Sequence, residues 1–267
     1  MTNSEFSDTF DTLLNSYGHQ GQFGEQSSKS EITLDEYEKS VLLTQAQDFI
    51  VKSYFDSTLN SQRQGFDDSA RRQVDFSSLI STAVLSSSAS DVGHFDDRGI
   101  LFDLPKRKGK EGTSSSEVLF ILNEQLQYMP KKGDLKTFVI IPIHYREYDR
   151  LMSKAYAQPL KKQAWRLFQN NSTGFDLKSE IIPRWDYKEA VDEEKGELFY
   201  KIRYIRRPRP ILLGDLPDGL EIDGETTASS CELNPILHMD ILNKAIALAI
   251  QTRSPQSVQE PQNRQRV

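Results

Sequence analysis

The residues best suited to chemistry are scattered. The four histidines are His19, His94, His144 and His238, and no two of them lie at the spacing of a metal-binding pair. His144-x-x-Glu147 has one half of a zinc-protease helix signature but lacks its second histidine. His238, near a helix start, is expected at the surface or in an interface. Cys231 is the single cysteine, which excludes an intramolecular disulfide and a cysteine-rich zinc site. There is no G-x-S-x-G elbow and no glycine-rich phosphate loop. Asp67-Asp68 and Asp96-Asp97 have the chemistry to chelate a hard cation, but acidic pairs in polar loops are ordinarily solvated. Asp176-x-Lys178-x-Glu180 holds the residue types of a nuclease cluster in a loose order. These residues assign no catalytic, cofactor-binding or metal-binding role.

Two basic clusters remain. One is Lys106, Arg107, Lys108 and Lys110; the other is Arg203, Arg206, Arg207 and Arg209. Each has the charge to neutralise phosphate backbone. Yet the net charge is −6 and the pI about 5.4, so bulk charge gives no support for nucleic-acid binding. At least two of Arg203, Arg206, Arg207 and Arg209 are expected to pair with carboxylates on this copy or an adjacent one, the candidates being Asp186, Asp192, Glu193, Glu194, Asp215 and Asp218. Arginine's planar fork suits that role.

The elements that hold these groups follow from periodicity. Glu197–Leu213 reads as one long strand, with Leu198, Tyr200, Ile202 and Tyr204 on a drier face. Arg206–Pro210 interrupts its pairing, because proline lacks the N–H a ladder needs. Asn234–Ile250 reads as a helix capped by Asn234, with Pro235 at its first position. Its apolar face carries Leu237, Ile241, Ala245 and Leu248, and Asp240 is placed to pair with Lys244.

Residues 4–16 form a short amphipathic helix through Phe6, Phe10, Leu13 and Leu14. An isolated helix of that length is marginal in water, so it must dock on its own body or a neighbour. Residues 17–31 read as a flexible linker. Thr33-x-x-Glu36 is a capping box opening a helix to about Phe55. Its apolar residues spread beyond one stripe, which suggests contacts on two sides and marks Tyr37, Val41, Phe49, Ile50 and Tyr54 for an interface.

Strands follow at Leu79–Leu85, Ile100–Leu104, Val118–Tyr128, Phe138–Ile143, Trp165–Phe168 and Glu180–Ile182, with a helix inserted over 144–155. Lys106–Ser116 reads as a basic loop tip and 186–196 as an acidic loop. The segmentation is an arm at 1–31, helices at 32–80, a β-rich region at 81–214, a turn and helix at 215–252, and a tail at 253–267. The class is α+β: N-terminal helices, a central antiparallel β region and a closing C-terminal helix. Mean hydropathy of −0.58 leads us to expect long exposed segments. No run of about 18 apolar residues predicts a membrane span. The N-terminus lacks signal-peptide features, so cytosolic synthesis is expected.

Several blocks carry a resemblance: ITLDEYEKSVLLTQAQDFIVKSYF (32–55), GFDDSARRQVDFSSLI (65–80), HYREYDRLMSKAYAQPLKKQAWRLF (144–168), KIRYIRRPRPILL (201–213) and ELNPILHMDILNKAIALA (232–249). Together they resemble ring or adaptor proteins of crAss-like bacteriophages of gut Bacteroidota, which stack between portal and tail. The head-to-tail adaptors of short-tailed phages are a more distant analogue. The resemblance implies a structural virion protein of the neck or tail, made in the bacterial cytoplasm. It implies a dodecameric ring of identical copies, contacting the portal and other ring or tail proteins and surrounding the DNA path. Loops 106–116 and 186–196 have no match in it. The competing reading is a phage nucleic-acid-binding protein or nuclease, using the basic loop with Asp176, Lys178 and Glu180.

Overall fold

The structure is a computed structural model that describes residues 1–18, 34–55, 74–86, 96, 99–108, 114–130, 134–154, 156, 158–170, 177–183, 196–217 and 219–253. Linker residues 19–31, Thr33, His19, His94, the pair Asp67-Asp68, Asp97, Lys110, Asp176, the acidic stretch 184–195, Asp218 and tail residues 254–267 lie outside them. The chain is α+β, with helices towards its ends and strands in its middle. It divides into two compact units. One joins Met1–Ser78 to Pro208–Val267; the other is Leu79–Arg207.

The first unit is helical: α1 (Asn3–Gly18), α2 (Glu36–Phe55), and α4 (His238–Arg253), which follows a 3-10 turn at Pro235–Leu237. A capping box that sequence reading passed over starts α1. The Thr2 N–H donates to Glu5 Oε2 at 2.8 Å, and the Glu5 N–H returns to Thr2 Oγ1 at 3.3 Å. For α2 the cap moves two residues on from Thr33: the Asp35 N–H donates to Glu38 Oε2 at 3.2 Å. Asn234 caps as expected, accepting from the Ile236 N–H at 3.2 Å.

The arm's helix docks on its own body. Phe6, Phe10 and Leu14 are buried, and Phe6 packs on His238 with ring centroids 5.1 Å apart. Buried Lys39 of α2 reaches Asp11 at 2.6 Å and Ser7 at 3.1 Å, which pins α1 to α2. Facing them on α4 are buried Leu237, Ile241, Leu242, Ala245, Ile246 and Ala249.

The second unit is a curled sheet with strand order β1-β9-β5-β6-β7-β8-β2 among the described residues. The strands are β1 (Ile80–Ser86), β2 (Ile100–Asp103), β5 (Val118–Pro130), β6 (Lys136–Pro142), β7 (Gln163–Asn170), β8 (Leu177–Pro183) and β9 (Gly196–Arg206). A separate hairpin of β3 (Lys106–Lys108) and β4 (Ser114–Ser116) occupies the stretch expected to be a loop tip. The sheet is mixed, not wholly antiparallel, because β6 and β7 run parallel. A parallel pair needs a crossover, and here it carries helix α3 (Tyr145–Met152).

Strand β9 ends at Arg206 instead of continuing to Leu213, and it is interior, between β1 and β5. Register shifts in β5 at Val118/Phe120 and Ile121/Asn123 coincide with the curl, as bulges increase bend and twist. The concave side holds the main core, including Phe102, Leu126, Phe138, Ala164, Ile181, Tyr200 and Ile202. On the opposite side, Trp165, Leu167 and Ile182 are covered by Tyr148, Leu151 and Met152 of α3.

Candidate assembly surfaces

Helix α2 buries a row that its apolar pattern does not mark. Ser40, Thr44 and Gln47 are buried, and each bonds the backbone of the proline-bearing segment 209–213. Ser40 Oγ accepts from the Leu213 N–H at 3.1 Å, and Thr44 Oγ1 accepts from the Ile211 N–H at 3.1 Å. Gln47 Nε2 donates to the Arg209 carbonyl at 2.7 Å. The geometry explains the match. These residues advance along the helix by roughly 6.0 and 4.5 Å at 1.5 Å per residue. Alternate residues of an extended chain advance by about 6.6 Å, close enough for side chains to make up the difference. Pro208 and Pro210 lack N–H groups, and the N–H groups of Ile211 and Leu213 are the ones that meet α2. Glu232 Oε2 takes the Arg209 N–H at 3.1 Å. The broken strand is thus laced to a helix along one side, while Leu212 exchanges two backbone hydrogen bonds with Ser229 on the other.

With that row inward, the residues marked for an interface separate. Ile50 lies in the core, while Val41 and Tyr54 are half-buried. Tyr54 meets Phe76 edge-on at 5.3 Å. Phe49 is 41% exposed. Lys244, expected to pair with Asp240, instead holds its ammonium 3.7 Å from the centroid of the Phe49 ring. Tyr37 lines a groove with Gly214, Leu216, Pro217 and Leu220, rimmed by Asp35, Glu36 and Asp215. Glu36 Oε2 would sit 2.8 Å from a Cβ at Gly214, so glycine lets the carboxylate lie against the chain. Exposed Glu38 lies next to the rim, where its carboxylate accepts from the Asp35 N–H. None of these four carboxylates has a cationic partner among the described residues.

The four arginines also separate. Arg209 Nε lies 3.6 Å from Glu232, a partner that sequence reading did not name. Arg206 and Arg207 are half-buried and engaged. Arg203 is exposed on the convex face of β9 with Lys201, beside Thr82, Asn123 and Gln125, in a shallow groove of about 140 Å3. Neither the Arg203 nor the Lys201 side chain has a hydrogen bond or ion pair among the described residues. Register places Val84, Lys201, Gln125 and Val139 in one row across four strands. Val84 and Val139 are 58% and 61% exposed. Among the described residues, helix α3 covers the convex face at β7 and β8 and does not reach this half.

Groups with catalytic potential are engaged in contacts within the fold, and Glu180 and Asp96 among them are buried. His144 and Glu147 start α3, where the Glu147 carboxylate faces the His144 N–H at 3.5 Å. Lys178 pairs with Asp103 at 3.3 Å. Glu180 is fully buried, accepting from the Asp96 N–H at 3.0 Å and from the Gln169 amide. A Cβ at Gly99 would lie 1.9 Å from Glu180 Oε1, so only glycine fits there. Asp96, expected to be solvated, is buried and accepts from the Tyr148 hydroxyl.

On the concave side, Arg166 Nε lies 2.8 Å from Glu124 Oε2, a buried ionic contact in which the N–H points away from the oxygen. The Tyr200 hydroxyl donates to the same oxygen at 2.7 Å. Burial first, and then the Glu124 charge, raise the Tyr200 pKa far above its usual range. Burial also pushes the Cys231 thiol up to about 11, so the thiolate is scarce at neutral pH. His238, expected at the surface or in an interface, is buried within the chain: Nε2 bonds the Leu233 carbonyl at 3.0 Å, and Nδ1 lies 3.1 Å from the Met1 amine. These groups brace the fold.

Comparison with known proteins decides the family. The phage tail ring protein 3/4 family matches residues 1–261. Ring protein 4/5 of Bacteroides phage crAss001 is 38% identical over 254 residues, covering 93% of this chain and 92% of that protein. The chain belongs to the phage tail ring protein 3/4 family. A second member, ring protein 3 of the same phage, is 32% identical over 253 residues, covering 94% of this chain and 95% of its own. As a tail ring protein the chain is a structural component of phage particles. Among the described residues no helix is long and apolar enough to cross a membrane, and no three His, Cys, Asp or Glu residues gather for a metal.

Proposed function

We propose that this chain is the subunit of a closed, homo-oligomeric ring, dodecameric in the particle, in the neck or tail of the virion. The ring joins the portal complex to the tail and surrounds the DNA path. The observation that carries this reading is the end-to-end likeness to two distinct ring proteins of one phage. A fold that serves two rings in one particle is suited to stacking on its relatives. Closed rings of identical copies need a heterologous contact, in which two different surfaces of the chain meet. The partly exposed Tyr37, Val41, Phe49 and Tyr54, together with Arg203, are available to such contacts. Synthesis takes place in the host cytoplasm.

Quantitative mass spectrometry of purified particles tests the proposal. The expected result is this chain in fixed, ring-like proportion to the portal protein. Abundance in infected cells with absence from particles would overturn it.

A further inference from the structure

Among the described residues, half of the convex sheet face is left uncovered and is suited to an occupant. Its centre holds Lys201 and Arg203, two strand positions apart on β9 and both without a carboxylate among the described residues. Its flanks are the exposed Val84 and Val139. Thr82, Asn123 and Gln125 add neutral hydrogen-bonding groups. Cations at the middle of a patch with apolar residues at its sides suit a protein surface that brings carboxylates. Duplex DNA asks for a longer run of cations, and the chain's net charge is −6.

The same chain has an acidic, apolar-floored groove on its helical unit. Asp35, Glu36 and Asp215 rim it, Glu38 lies beside them bonded to the Asp35 N–H, none of the four has a cationic partner among the described residues, and Tyr37, Leu216, Pro217 and Leu220 line it. The Asp35 and Asp215 carboxylates already cap backbone N–H groups, at 2.8 Å to Glu36 and 2.8 Å to Ala228. They are therefore held in place with lone pairs to spare. Each copy thus has both halves of a head-to-tail contact.

We infer that the β1–β9–β5 face of one copy seats the α2-start groove of the next, with Lys201 and Arg203 meeting the carboxylates of that rim. The inference rests on the ring reading and specifies the surfaces that close the ring. Opposite potentials on the two surfaces steer docking and set register, while like surfaces repel. Lys201 and Arg203 project from the middle of a paired strand, so reversing their charge leaves the core untouched.

The test uses the full chain in phage production, with three versions compared to wild type: K201E/R203E, E36K/E38K, and all four changes together. Thermal unfolding of each purified chain controls for folding, and K201Q/R203Q is a milder substitute for the first version. Each double reversal is expected to lower ring incorporation at least about tenfold, the coupling of close interfacial charge pairs. The fourfold variant is expected to regain most of it. Full incorporation of K201E/R203E overturns the contact while leaving the ring reading intact. Loss without rescue overturns the assignment of the α2-start groove as occupant. Normal rings with impaired DNA retention overturn it in favour of a nucleic-acid face. Wild-type particles lacking the ring overturn both readings.

Discussion

Replacing Thr44 by Val tests the account of how the broken strand is held. Valine matches threonine in shape and removes the hydroxyl that accepts from the Ile211 N–H at 3.1 Å and faces the Ile211 carbonyl at 3.4 Å. Both partners are buried, so water does not replace the lost bond. A buried backbone donor left unmade costs about 1–3 kcal/mol. Taking about 2 kcal/mol, the melting temperature should fall by roughly 4–8 °C for a chain of this size. Thr44→Ser keeps the hydroxyl and loses only a methyl, so it should fall less. Hydrogen exchange gives a second readout: the Ile211 and Leu213 amides should exchange much faster in Thr44→Val and Ser40→Ala, respectively. Ser40→Ala and Gln47→Leu act on the same segment, so their effects should couple rather than add. A Thr44→Val chain as stable as wild type, with an Ile211 amide still protected, would refute the reasoning.

Other consequences are equally specific. Gly99→Ala forces a Cβ into the Glu180 carboxylate, and its thermal unfolding should show a loss of about 1–3 kcal/mol, the usual cost of overpacking. Arg166→Met strands the buried Glu124 carboxylate, with an expected loss of about 3–5 kcal/mol, whereas the paired change Arg166→Met with Glu124→Leu should recover much of it in denaturant titrations. His238 has its pKa lowered by burial and then by the Met1 ammonium, against the opposing hydrogen bond to Leu233. The unfolded state therefore takes up the proton first as pH falls. His238 contributes its full stability above about pH 6.5, and this is lost as pH drops through the depressed folded value. Unfolding followed from pH 7.5 to 5 should show that slope, and His238→Gln should flatten it.

Much of the fold was legible because it rests on local periodicity. Alternation along Leu198–Tyr204 marks β9, and Asn234-Pro235 marks the start of the C-terminal helical segment. The parallel β6–β7 pair was missed although strand, helix and strand had each been recognised in that order; a helix between two strands is the signal of a crossover. The inward face of α2 was misassigned for a different reason. Amphipathic patterning sends Ser, Thr and Gln outward, yet Ser40, Thr44 and Gln47 face a chain whose prolines interrupt regular strand pairing. Such a row of short hydrogen-bonding residues on an otherwise apolar helix is a usable signal when a Pro-x-Pro segment lies elsewhere. Glu124 and Glu180 were not legible as buried groups, because only tertiary pairing tells a buried carboxylate from a solvated one. Lys201 went unnoticed beside the arginines, since facing is set by β9 register and not by composition.

A side-chain-resolution map of the purified particle tests the central claim most directly. The account predicts this chain as a closed ring between portal and tail, with Lys201 and Arg203 of each copy against Glu36 and Glu38 of the next. A particle whose rings contain no copy of this chain would contradict it.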